Sequence, residues 1–219
     1  MNHTEQNRPL HSPHSRLILI LGGARSGKST FAERLGHNSG RRVAFIATAT
    51  ASDDDMRARI AHHRASRPAD WPTIEEPLNL TQAIQQAAEV ADVLLLDCMT
   101  LWLSNWLWQQ HDTNFETNPA LSSRYSKEAL QEIDHLLATL AALPATKTLV
   151  IISNEVGLGI HPEYAISRVY RDILGRINQR LAQAAERVYL MIAGLAIDLK
   201  RLNDQDERET GYLPGASLP

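Results

Sequence analysis

Lys28 and Ser29 close the segment Gly22-Gly23-Ala24-Arg25-Ser26-Gly27-Lys28-Ser29, whose spacing G-x-x-x-x-G-K-S is that of a phosphate-binding loop. Glycines let the backbone turn tightly, so that successive N–H groups point into one concavity. A helix starting at Lys28 adds unpaired donors and a partial positive charge at its N-terminus. In such a loop the lysine reaches the β- and γ-phosphates of ATP or GTP, and the serine hydroxyl holds Mg²⁺. The flanks agree. Leu17-Ile18-Leu19-Ile20-Leu21 precedes the loop as an apolar strand, and Thr30-Phe31-Ala32-Glu33-Arg34-Leu35 follows it with helical character.

Three further groups of residues carry chemistry. Val93-Leu94-Leu95-Leu96 is followed by Asp97, an acid placed to hold the metal directly or through water at the carboxyl edge of a sheet. An acid there also serves as a helix cap. In Asp53-Asp54-Asp55-Met56-Arg57-Ala58-Arg59-Ile60-Ala61-His62-His63-Arg64-Ala65-Ser66-Arg67-Pro68, the acids suit a cap and first turn, and Pro68 stops the helix. Met56, Ile60 and either His63 or Arg64 share one face, and His62 is rotated about 100° from His63, so His63 is the inward residue. On the residues alone, a hydrogen-bonded core histidine outranks a catalytic one. Arg64 and Arg67 read either as a solvated face or as phosphate ligands. Asn154-Glu155-Val156-Gly157-Leu158-Gly159-Ile160 follows another strand and serves either a ligand or the turn itself. Trp102 and Trp106 form a helical stripe that reads as core or as a subunit interface.

These residues need a scaffold, and the chain supplies an alternation of short apolar runs with helical patterns. Strands are expected at Leu17–Leu21, Arg42–Ala47, Val93–Asp97, Thr148–Ser153 and Val188–Ile192, and helices at 28–38, 54–65, 79–89, 100–110, 126–142 and 163–185. The alternation predicts an α/β fold with a mostly parallel sheet and helices on both faces. One domain at 16–201 is expected, between an N-terminal extension at 1–15 expected to be disordered and a flexible, charged tail at 202–219.

Composition narrows the function classes. The chain has 219 residues, a net charge of −3 and a single cysteine, Cys98. It is long enough for one substantial core. No block of Lys and Arg marks a nucleic-acid face. One cysteine forms no intrachain disulfide, in keeping with a reducing compartment. The N-terminus lacks the apolar stretch of a secretory signal. Apolar runs fall far below the roughly 20 residues that cross a bilayer. A cytoplasmic protein is expected, with no membrane insertion.

Taken together, the chain resembles the bifunctional adenosylcobinamide kinase/adenosylcobinamide-phosphate guanylyltransferase family of cobalamin biosynthesis. The resemblance rests on Gly22 to Ser29, Ile46-Ala47-Thr48-Ala49, Asp53 to Met56, Arg59-Ile60, His62-His63, Arg67-Pro68 and Leu96-Asp97-Cys98. It continues through Asn154 to Ile160, Pro162-Glu163 and Arg171-Asp172-Ile173-Leu174-Gly175-Arg176-Ile177-Asn178-Gln179. It covers about residues 17 to 200. The histidine pair with Arg-Pro and the Asn-Glu-Val-Gly segment are its specific parts.

The resemblance implies a RecA-like P-loop NTPase fold, and it reverses the reading of the histidine. His63 becomes the nucleophile that is guanylylated. Nucleotide contacts fall on Gly22, Gly23, Ala24, Arg25, Ser26, Gly27, Lys28 and Ser29, then Ala47, Thr48 and Ala49. Arg64, Ala65, Ser66, Arg67, Glu75 and Asp97 complete that set, with neighbouring Glu76 as an alternative to Glu75. Adenosylcobinamide and its phosphate are the implied partners, with ATP and GTP as substrates, Mg²⁺ at Ser29 and Asp97, and a homo-oligomer as the assembly. Two other functions use the same loop: a kinase of another small metabolite without a covalent histidine, and a non-enzymatic nucleotide switch.

Overall fold

The computed structural model describes residues 16–50, 54, 57, 58, 61, 68–110, 115, 118 and 120–210, with 205–210 as backbone only. Among the described residues seven strands are formed: β1 Leu17–Gly22, β2 Val43–Ala47, β3 Thr73–Glu75, β4 Val93–Asp97, β5 Thr148–Ile152, β6 Arg187–Ile192 and β7 Leu195–Asp198. The helices whose bounds lie among the described residues are α1 Lys28–Asn38, α2 Leu80–Val90, α3 Met99–Trp108, α4 Ala120–Ala142, α5 Ala165–Ala184 and α6 Leu199–Thr210.

All strands join one sheet in the order β3-β2-β4-β5-β1-β6-β7. Every pair is parallel except β6 with β7. The strand bearing Asp97 is therefore separated from the phosphate-loop strand by β5, which is the RecA-like order. The fully buried stretches of the central strands are apolar on both faces because both faces are covered. Leu17, Leu19, Ala44, Ile46, Leu94, Leu96, Leu149 and Ile151 face α2 to α5. Ile18, Ile20, Val43, Phe45, Val93, Leu95, Val150 and Ile152 face Phe31 and Ala32 of α1 and Trp71.

The expected strands are present, as are the helices expected at 28–38, 79–89, 100–110, 126–142 and 163–185, with ends moved by a few residues. α4 begins at Ala120 rather than 126, because Leu121 and Tyr125 extend the buried face that Ala129, Ile133, Leu136 and Leu140 continue. Three elements were not expected. β3 is three residues long, too short for a period to show. β7 returns from β6 through Ala193-Gly194, both at positive φ, 50° and 82°. That is the geometry of a two-residue hairpin without its usual Asn-Gly signal. α6 carries helix to Thr210, past residue 201, where the flexible tail was expected to begin. Leu199 anchors it on the core, and charged residues are good helix formers when solvated. The extension at 1–15 and residues 211–219 lie outside the described residues. Within the helix expected at 54–65, Asp54, Arg57, Ala58 and Ala61 are helical, and the Arg57 guanidinium pairs with the Asp54 carboxylate.

No helix among the described residues is long and apolar enough to cross a membrane. Trp102 is fully buried. Trp106 packs between it and Tyr125, with ring centroids 6.3 and 6.1 Å away. This stripe is packed into the core, one of the two readings its spacing left open.

Candidate functional site

The phosphate loop leaves β1 at Gly22, whose φ of 149° and surroundings both require glycine. A Cβ there would meet the Met191 carbonyl oxygen at 2.6 Å. Arg25 at φ 58° and Gly27 at φ 96° complete a backbone curl in which Ser26 N donates to Gly23 O. The curl is buttressed from outside by the β6–β7 hairpin, where Gly194 N donates to Ser26 O at 3.0 Å. Phe31 N then closes the first turn of α1 onto Gly27 O. Ser26 Oγ is buried without a hydrogen-bond partner.

Lys28 is buried, and its Nζ donates to Gly23 O at 2.6 Å. Burial pulls its pKa below the usual lysine value, and the nearby Asp97 carboxylate opposes that shift. Ser29 Oγ donates to Asp97 Oδ2 at 3.1 Å. The two residues proposed for the metal, 68 apart in sequence, are thus in direct contact beside the lysine. A hydroxyl and a carboxylate are hard oxygen donors. They fit Mg²⁺, which is commonly held by one carboxylate, water and phosphate oxygens. Clusters of three or more His, Cys, Asp or Glu are absent among the described residues, so a cage built from protein side chains alone is not formed there. Burial pushes the Cys98 thiol up to about 11, so it stays a neutral thiol beside the site.

Strand register brings the other residues to the same edge. Ala47 pairs with Asp97 on one side and with Glu75 on the other. Thr48 is fully buried. Its N–H donates to Asp97 O, its Oγ1 donates to Cys98 O at 2.8 Å and it accepts from Cys98 N at 2.9 Å. Glu76 Oε1 accepts from Leu78 N and Asn79 N, each at 3.0 Å, in the turn before α2, whereas the neighbouring Glu75 is exposed. His63, Arg64, Ala65, Ser66 and Arg67 lie outside the described residues, as does His62.

The Asn154 segment also reaches this edge. Glu155 N donates to Gly22 O at 3.1 Å and Asn154 N to Thr100 Oγ1 at 3.3 Å. Behind it, Ser153 Oγ donates to Asn178 Oδ1, and Asn178 Nδ2 donates to Asn154 O. Further on, Leu158 and Ile160 are 83% and 97% exposed. Sequence reasoning missed two supports of the site: the Ala193-Gly194 turn, and Asn105, whose amide meets Thr48 O at 2.7 Å from 57 residues away.

The family model for cobinamide kinase / cobinamide phosphate guanyltransferase matches residues 18–199. The chain belongs to this family. Its similarity to curated members of the family spans nearly their whole lengths. The bifunctional adenosylcobalamin biosynthesis protein CobP of Pseudomonas aeruginosa is 44% identical over 182 residues, covering 83% of this chain and 96% of its own. The CobU protein of Escherichia coli is 40% identical over 189 residues, covering 84% and 99%. CobU of Salmonella typhimurium is 40% identical over 186 residues, covering 84% and 99%. The span matched by the family model contains every residue of the phosphate-loop edge described above, from Gly22 to Gly194.

Proposed function

We propose that this protein phosphorylates adenosylcobinamide and then transfers GMP to the phosphate it has made. The observation that carries the reading is the Ser29–Asp97 contact beside buried Lys28, in a chain of this family. In the first reaction the γ-phosphoryl group of ATP or GTP passes to the hydroxyl of the aminopropanol arm: an O–P bond forms, the bond from the γ-phosphorus to the bridging oxygen breaks, ADP or GDP leaves with that electron pair, and the hydroxyl proton is lost to solvent. Lys28 and the N–H groups from Gly22 to Ser29 hold the phosphates in line and offset the developing charge. Mg²⁺, held by Ser29 and Asp97, would supply further neutralisation of phosphate charge when bound.

In the second reaction the neutral imidazole of His63 attacks the α-phosphorus of GTP. A P–N bond forms, the bond to the β-phosphate oxygen breaks, and pyrophosphate leaves with that electron pair. The corrinoid phosphate then displaces the imidazole and takes GMP, giving adenosylcobinamide-GDP. A histidine suits this role because its ordinary pKa near 6.5 leaves the free base abundant at pH 7. Ala47, Thr48, Ala49, Arg64, Ala65, Ser66, Arg67 and Glu75 are assigned to the nucleotide, and the assembly is assigned as a homo-oligomer.

Incubation with α-labelled GTP tests this reading. The wild-type protein is expected to acquire an acid-labile, base-stable GMP label, and His63→Ala is expected to acquire none. Undiminished labelling of His63→Ala excludes His63. Phosphoryl transfer without any protein-bound GMP supports the kinase of another metabolite instead.

A further inference from the structure

α3 does not run back along the sheet from Asp97. It lies across the carboxyl edge, clasping the strand exits. Thr100 Oγ1, in its first turn, accepts from Asn154 N past β5 at 3.3 Å. Trp102 Nε1 donates to Leu78 O past β3 at 2.8 Å. Asn105 Nδ2 donates to Thr48 O past β2 at 2.7 Å and to Pro77 O past β3 at 3.3 Å. The stripe formed by Thr100, Ser104, Leu107 and Trp108, at helical spacing, is turned instead toward α5. α5 connects β5 to β6, both parallel to β1, so its first turns stand at this same edge. Its Tyr170 hydroxyl donates to Thr100 O at 2.9 Å and ties the two helices together.

Between α3 and the first turns of α5 lies a groove of about 530 Å³, within the usual range of small-molecule sites. α3 lines it with Ser104, Leu107 and Trp108, and α5 with Ile166, Ser167 and Tyr170. Gln110 closes its far end, held by its Nε2 on Trp106 O at 3.1 Å. Trp108 is 89% exposed, although an indole is among the largest apolar surfaces a chain can bury. Among the described residues, the lining combines apolar surface with hydroxyls and one carboxamide and includes no charged side chain. A triphosphate needs cations or converging N–H groups, and these stand at the phosphate loop. The groove therefore suits an uncharged surface that is apolar in its body and amide-bearing at its edge.

We propose that this groove seats the corrin ring of adenosylcobinamide. The inference rests on the reading of the chain as an adenosylcobinamide kinase. The ring is a broad apolar macrocycle fringed by uncharged primary amides. Its body fits Leu107, Trp108 and Ile166, and its amides fit the hydroxyls of Ser104 and Ser167 and the carboxamide of Gln110. Reach agrees with this placement. The propionamide and aminopropanol arm extends about 8 Å from the ring. Ser104 lies one helical turn, roughly 6 Å, beyond Thr100. Thr100 is bonded to Asn154, and the next residue, Glu155, donates its N–H to Gly22 O at the start of the phosphate loop. A ring in the groove thus extends its hydroxyl along the edge toward Lys28 and Ser29.

The test uses the full chain with Trp108→Ala and Ser104→Phe. Both native side chains are exposed, so neither change enters the core. Adenosylcobinamide binding is measured by titration calorimetry with a non-hydrolysable ATP analogue present, beside KM for adenosylcobinamide and for ATP in the phosphorylation. Trp108→Ala is expected to raise Kd and KM for adenosylcobinamide about tenfold, as loss of an aromatic anchor does. Ser104→Phe, which fills the groove, is expected to raise them at least as much. KM for ATP is expected to stay within about twofold of wild type. Unchanged affinity for adenosylcobinamide in either variant, or a KM for ATP that rises in step, overturns the proposal. So does a change in the sedimentation coefficient of Trp108→Ala, which would assign the groove to a second copy of the chain. A wild type that binds adenosylcobinamide without phosphorylating it overturns the kinase reading alone, and weaker binding in the variants then still supports the groove. A wild type that phosphorylates adenosylcobinamide while both variants bind it normally overturns the groove alone.

Discussion

At the amino ends of the central strands, Arg16, Arg42, Asp92, Lys147 and Glu186 each stand immediately before a strand, and each is bonded within that end of the sheet. Arg42 Nε meets Asp92 at 3.1 Å, Lys147 Nζ meets Asp92 and Ala91 O at 3.0 and 2.7 Å, and Glu186 accepts from Leu17 N at 2.7 Å. Arg16 donates to the last carbonyls of α4, where a cation complements the helix C-terminus. At the carboxyl ends of the same strands stand glycine at φ 149°, a buried ammonium, an unpartnered Ser26 hydroxyl and the exposed Leu158 and Ile160. At the amino end Arg42, Asp92 and Lys147 pair with one another, and Arg16 and Glu186 bond to backbone groups. The carboxyl end keeps donors and apolar surface that the fold does not need. One edge of the sheet is thus built for stability and the other for a ligand, as is general for sheets of this kind.

The sharpest way to break this contrast is Lys28→Met, which keeps length and removes charge. Both transfers are expected to fall about 10²–10³-fold, the range seen when a charge-stabilising donor is lost. The melting temperature of the nucleotide-free variant is expected to stay level or rise. Burial disfavours the charged lysine and lowers its pKa, so at neutral pH the native state bears a cost that methionine lacks. A marked fall in melting temperature would place Lys28 with the stabilising residues of the opposite edge.

A smaller effect, in the opposite quantity, is expected for Asp92→Asn. Hydrogen bonds from Arg42 and then from Lys147 hold the Asp92 carboxyl down to about 2. Its folded value lies below its unfolded value. The stability it contributes is therefore present above the ordinary carboxylate range and is lost as pH falls through about 2. Thermal melts from pH 6 to pH 2 are expected to show the wild type losing this contribution with acid, and Asp92→Asn lacking it throughout. At pH 7 the variant's melting temperature should fall by about 2–4 °C, as ~1 kcal/mol gives in a domain of this size, with both transfer rates unchanged. Smallest of all is Ile160→Ser. Ile160 is 97% exposed, so unfolding free energy should stay within about 0.5 kcal/mol of wild type by chemical denaturation. A larger loss would show that this loop is covered in the folded protein.

The two edges were not equally legible. Gly22 to Ser29 could be read because the loop is contiguous and its chemistry is local, and Asp97 because it ends an apolar run that only a buried strand explains. The partner of each was implied by its motif, and the Ser29–Asp97 contact follows. Glu75 and Glu76 were interchangeable in sequence, and only the turn at Leu78 and Asn79 separates them. Asn105 was hidden inside a tryptophan-rich helix that reads as core, because its partners are carbonyls that no side-chain pattern records. The Ala193-Gly194 turn carried no standard hairpin signal, and α6 looked like a tail because charge density resembles disorder when no apolar face is visible.

The sequence by itself determined the phosphate loop, the parallel alternation of strands and helices, and the family to which those motifs belong. These depend on residues close together in the chain, where propensity and period act directly. Tertiary structure alone decided which strand lies between β1 and β4, which glutamate stays exposed, and how α3 clasps two strand exits. Those outcomes are set by pairings between segments tens of residues apart, whose free energy exists only once the sheet has assembled and its edge groups must find donors.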